Sequence, residues 1–196
     1  MTSQSWACTS FIISGSATPT GRPMMFKHRD TGELNNRIAH FKGPKYSFMG
    51  LVNSPMLDGE VWAGMNEVGL CIMNTASYNL APDTAKLKDQ EGYVMSLALK
   101  KCRTLADFET LLDTISKPMG VQANFGMIDA TGDGAYYETN DYTYTKFSLS
   151  DAENGVLVRT NYSYTGEEGG GYGYIREDNA WHLLEPYIKN KSVEAS

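Results

Sequence analysis

Two short strand-like runs near the N-terminus constrain this chain more than any other feature. Ala7-Cys8-Thr9-Ser10-Phe11-Ile12-Ile13-Ser14 and Phe26-Lys27-His28-Arg29-Asp30 are joined by a turn-rich segment from Gly15 to Pro23. Strands joined this way lie side by side, so the end of the second returns to the start of the first. Lys27, Arg29 and Asp30 are thereby expected beside Cys8. A thiol beside two cations and a carboxylate is a nucleophile whose thiolate form is favoured. The same residues also fit a buried structural cysteine next to an ordinary charged strand end.

Composition narrows the setting. The 196 residues are 41% hydrophobic and 20% charged, which suits one globular domain with a sizeable core. The net charge of −6, with no basic cluster, argues against nucleic acid or an anionic membrane as the main partner. No apolar run approaches the length of a membrane span. Three cysteines cannot all pair within the chain, and Cys71 and Cys102 read as core residues. His28, His40 and His182 lack Cys or acidic partners at metal-ligand spacing, so neither metal nor other cofactor is expected.

The rest of the chain reads as strands, then helices, then strands. Residues 46–53, 60–65 and 70–75 are strand-like, with turns at Asp58-Gly59 and at Asn66 to Gly69. A loop spans Asn79 to Glu91. Tyr93 to Lys101 shows a helical pattern. A second helix is expected with Thr104 as N-cap and Asp107 at its third position, stopped by Pro118 and Gly120. Two consecutive helices after several strands suggest a helical layer over a sheet, an α+β fold. Residues 124–130, 135–139, 142–149 and 156–161 read as an antiparallel meander. Gly169 to Tyr174 fits either an aromatic substrate loop or a plain linker, since no Lys-Ser/Thr follows to make a phosphate cradle. A last helix should turn Trp181 and Leu184 inward, with Pro186 disturbing it.

Cys8-Thr9-Ser10, the Lys27-His28-Arg29-Asp30 run, the Gly64-x-Asn66-Glu67-x-Gly69-Leu70 motif, Thr160-Asn161 and the late Arg176 together resemble one group of families. The chain resembles the N-terminal-nucleophile (Ntn) hydrolases of the choloylglycine hydrolase, penicillin acylase and acyl-CoA:6-aminopenicillanic acid acyltransferase-like type. His28 stands where those families usually have Asn, and Lys27 where many have Arg, so either Lys27 or Arg29 could do the family arginine's work. The resemblance implies an αββα sandwich of antiparallel sheets, incomplete toward the C-terminus because family members usually run longer. It implies hydrolysis of, or acyl transfer from, a linear amide through a thioester on Cys8, with no cofactor. Cys8 would be the nucleophile, its own α-amine the base, and Asp30 the group that holds that amine. Asn161 and Arg176 complete the implied catalytic set, and Lys27, Arg29 and Asn74 the implied substrate-binding set.

That chemistry needs Cys8 to become the first residue. Ser5-Trp6-Ala7 has the small-x-small form of a signal peptidase site, so residues 1–7 are expected to be a leader or remnant that is removed, by autoprocessing or by a peptidase. Residues 8–196 form the single domain. The sequence leaves the location open between the bacterial cytoplasm and, where a longer precursor is cleaved before Cys8, an exported or periplasmic site. A small-molecule amide is the expected partner, alongside self-association through an unfinished sheet edge. Alternatives from the sequence are a catalytically silent or fragmentary relative that binds an acyl ligand, and a Cys-His thiol hydrolase using Cys8 and His28.

Overall fold

The structure, a computed structural model, describes residues 7–54, 60–80 and 88–194. Residues 1–6 of the expected leader and the Asp58-Gly59 turn lie outside them. In chain order the strands are β1 (Thr9–Ile13), β2 (Met24–His28), β3 (Asn36–Phe41), β4 (Phe48–Asn53), β5 (Ala63–Asn66) and β6 (Cys71–Ala76). Helices α1 (Glu91–Lys101) and α2 (Leu105–Thr114) follow, then β7 (Ala123–Ile128), β8 (Gly134–Thr139), β9 (Tyr144–Ser148), β10 (Val156–Arg159) and α3 (Tyr174–Lys189).

The strands form two antiparallel sheets. One has three strands in the order β10-β1-β2; the other has seven, running β3 to β9 in sequence order. Three apolar clusters stack the layers. Phe108, Leu99, Phe125 and Tyr137 lie in the cluster joining α1 and α2 to the large sheet. Ile12, Met73, Ile128 and Tyr136 fill the space between the sheets. Ile13, Val156 and Val158 of the small sheet meet Trp181 and Leu184 of α3. The result is four layers, helix-sheet-sheet-helix.

Local chemistry explains the element boundaries. Thr104 and Asp107 form the expected capping box of α2. In α1, Glu91, Val94, Met95 and Ala98 are all buried, at the i, i+3, i+4, i+7 spacing of one helix face. The helix thus starts two residues before the first apolar position that marks it in the sequence.

One expectation is corrected. The last strand does not extend the meander after β9; β10 crosses over and pairs with β1, Ser10 opposite Arg159 and Ile13 opposite Val156. Val156 and Val158 face the α3 cluster, while Leu157 faces the inter-sheet cluster. A strand apolar on both faces needs cover on both. The outer flank of β9, with exposed Thr145 and Lys146, offers none, whereas the space between the large sheet and α3 does.

Candidate active site

Alternation along β1 and β2 decides which side chains meet. Ser10 points into the inter-sheet layer, where its Oγ lies 2.8 Å from the Tyr136 hydroxyl, and Met25 packs in the same layer. Lys27, opposite Ser10, shares that face. Phe26 stacks on Phe11 against the outer layer, and His28 therefore also faces outward, exposed, away from Lys27. Nothing in this geometry joins His28 to Cys8.

Cys8 is buried at the mouth of β1, its Sγ 4.0 Å from the backbone oxygen of Asp30. It lines a cavity of about 230 Å³ with Lys27, Arg29, Asp30, Trp62, Asn74, Tyr78, Asp89 and Glu91. Lys27 Nζ donates to the Trp62 carbonyl at 2.8 Å and to Asn74 Oδ1 at 2.6 Å. Burial lowers the Lys27 pKa to about 8, against an opposing pull from Cys8. Arg29 sits farther out. It donates to the side chains of Asn36 and Asn53 and lies over the Trp62 ring at 5.0 Å, fastening the end of β2 to β3 and β4. The two cations thus differ: Lys27 is enclosed beside the sulfur, and Arg29 braces the rim.

From the other side, α3 delivers Arg176. Its guanidinium donates to the Cys8 carbonyl, to Thr9 Oγ1 at 3.0 Å and to Asn161 Oδ1 at 3.0 Å. Burial lowers its pKa, while the charges of Cys8 and Asp30 raise it. Asn161 in turn donates from Nδ2 to the Ala76 carbonyl at 2.9 Å, and its backbone bridges to Tyr172. The Gly169 to Tyr174 loop is therefore tied to the site: Tyr172 packs edge-on against Tyr78, and Tyr174 stacks on Tyr162 at 4.0 Å. Cys8, Lys27, Asp30, Asn74, Asn161 and Arg176 come together from β2, β6, α3 and the segments that flank β1, β2 and β10.

Three cavity residues are absent from the sequence reading. Tyr78 is held protonated, its pKa pushed up to about 12 by burial and then by Glu91 and Cys8. Burial raises Asp89, which accepts from the Glu91 N–H at the start of α1. Glu91 is fully enclosed, and burial pushes its pKa up to about 8. The signal for Glu91 is its place on the apolar stripe of α1. Among the described residues, no three His, Cys, Asp or Glu side chains are grouped to hold a metal ion, and no helix is long and apolar enough to cross a membrane.

The architecture, two antiparallel sheets between helical layers, is shared with solved structures of other proteins. Solved structures similar to it include the following two. The first is a Caenorhabditis elegans ortholog of N-acylethanolamine-hydrolyzing acid amidase. It aligns with a TM-score of 0.66 at 14% identity, over 94% of this chain and 85% of that one. The second is a conjugated bile acid hydrolase from Clostridium perfringens, with a TM-score of 0.55 at 16% identity, over 92% of this chain and 57% of that one. This chain thus spans less than two thirds of the bile acid hydrolase. No family model and no curated protein sequence matches it.

Proposed function

We propose that this protein hydrolyses a linear amide, with Cys8 as the nucleophile and a thioester as the intermediate. One observation carries the reading: Cys8 lies at the start of the central strand of the small sheet, in a cavity that also holds Lys27, Arg29, Asp30 and Asn74, with Arg176 donating to its carbonyl and to Asn161 Oδ1.

The sulfur attacks the amide carbonyl, forming a C–S bond and a tetrahedral oxyanion. Asn161 and Asn74 each carry two side-chain N–H groups, one committed to Ala76 and to Glu91 respectively. The second N–H of each is the donor for the oxyanion, a role commonly worth about 3–4 kcal/mol. The C–N bond then breaks, and the leaving amine takes the proton that the base removed from the thiol. Water attacks the thioester, giving a proton to the base as the C–O bond forms; the C–S bond then breaks, the sulfur takes that proton back, and the carboxylic acid leaves. The base is the α-amine of Cys8, which titrates near ~7.7–8.0 once it is an amine rather than a peptide nitrogen. Residues 1–7 are accordingly a segment whose removal activates the site.

Next to the cavity, sharing Lys27, an apolar groove of about 430 Å³ runs along the inner face of the large sheet past Met25, Ile38, Met49, Ala63 and Met73. It suits the acyl side of the substrate, with the amide at Cys8. The test is hydrolysis of acyl amides by chain beginning at Cys8, compared with the Cys8→Ala variant. Loss of all turnover in a variant that melts like wild type is expected. Retained hydrolysis by Cys8→Ala would overturn the assignment.

A further inference from the structure

Glu91 is an acid with no part in the chemistry above, buried in the first turn of α1. An acid there is usually a helix cap, but that task is filled: Asp89 Oδ1 accepts the Glu91 N–H at 2.9 Å. The Glu91 carboxyl instead reaches across to β6, where Oε2 accepts from Asn74 Nδ2, and the backbone of Gln122 also donates to it. Asn74 passes the interaction on, because its Oδ1 accepts from Lys27 Nζ at 2.6 Å.

We propose that Glu91 is a positioning residue for the site, fixing the orientation in which Asn74 presents its oxygen to Lys27. A primary amide is nearly symmetric in shape, so packing alone does not choose between its two flips. Lysine has only donors, and Asn74 turned over would set two donors against each other. Glu91, once ionised and an acceptor only, admits only the flip that Lys27 needs. The same contact holds the second N–H of Asn74 in a fixed direction. An acid buried this deeply is costly unless bonded, which makes Asn74 and Glu91 mutually dependent.

The line also couples charges. Lys27 faces Cys8 and Arg29, and Glu91 faces Asp89 and Tyr78, with Glu60 and Lys88 beyond Asp89. Burial moves Lys27 down and Glu91 up, and each feels the charge of the other, so their titrations are coupled.

The proposal rests on the site reading above only in taking Lys27 as the cation beside the nucleophile. The experiment follows the Lys27 13Cε and Glu91 13Cδ resonances with pH in wild type, Glu91→Gln, Asn74→Ala and the double variant, with thermal melts as the folding control. In wild type the two curves should each carry the other's inflection. Glu91→Gln should move the Lys27 midpoint down by about one pH unit, since an anion that favoured the ammonium is gone. In the Asn74→Ala background the same change should move it less than half as far. An unmoved Lys27 midpoint, an equal shift without Asn74, or independent single-step curves in wild type would each overturn the proposal. The wild-type curves decide it even where a variant does not fold. Selective alkylation of Cys8 by iodoacetamide is measured alongside. Its absence would remove Cys8 as nucleophile while the resonances still judge Glu91.

Discussion

At the scale of single residues, burial sets the pH behaviour of the site. Glu91 has its folded pKa raised to about 8 from an ordinary 4.5, so its contribution to stability is complete below about 4.5 and is lost as pH rises through 8. Lys27 has its folded pKa lowered to about 8 from 10.5, so its contribution is complete above about 10.5 and is lost as pH falls through 8. The two together give a stability minimum near pH 8. Urea midpoints measured from pH 5 to 10 should show it, and Glu91→Gln should flatten the acidic side by an amount on the order of a few kcal/mol. Cys8, Lys27 and Asp30 were legible in the sequence because strand pairing alone brings them together. Glu91 was not, since a lone Glu before a helix reads as a solvated loop end until the first turn of α1 is seen to be buried.

Elements place what single residues cannot. The crossover to β10 is held by Arg159, whose Nε donates to Glu138 at 2.9 Å with both side chains buried. The Arg159 guanidinium also lies over the rings of Phe147 and Tyr164 at 4.7 and 3.8 Å. Glu138 further accepts from the Tyr164 and Thr165 backbone, which fixes the loop between Asn161 and Arg176. Arg159→Met strands that carboxylate and should cost about 3–5 kcal/mol, read as a lower melting temperature; adding Glu138→Gln should recover part of it. Gly173, the residue before α3, has φ +105, and a Cβ there would lie 2.5 Å from Arg176 Nη2 and 2.6 Å from Thr160 Oγ1. Gly173→Ala should therefore dislodge Arg176 and lower amide turnover at least about tenfold, checked by steady-state rates beside a melt. Strands, helices and the α2 cap follow from periodicity and turn residues. The destination of β10 does not, because a strand apolar on both faces states only that it needs two covers, not where they lie.

For the whole molecule, the unequal sheets matter most. Three strands face seven, and the inner side of β3 to β6 that the small sheet leaves bare is the apolar groove beside Lys27. Ala63, on its floor opposite Leu51 and Met73, has room above it. Ala63→Phe should raise KM for long-chain acyl amides by about tenfold or more and leave short-chain ones nearly unchanged. Trp181 and Leu184 of α3 turn inward, as that stretch led one to expect, and cover the outer face of the small sheet. That stretch has only a weak apolar stripe broken by Pro186, so its role shows only once the small sheet is there to receive it. A further consequence lies in the place of β1 between its neighbours. One flank is formed by β2, a few residues downstream, and the other by β10, which enters nearly the whole chain later. During synthesis, then, Cys8 and the Lys27 to Asp30 run are made early, whereas Asn161 and Arg176 emerge only after every strand of the large sheet. Until then Cys8 lacks Asn161 and Arg176, and the candidate site is complete only once the first strand is joined to the last.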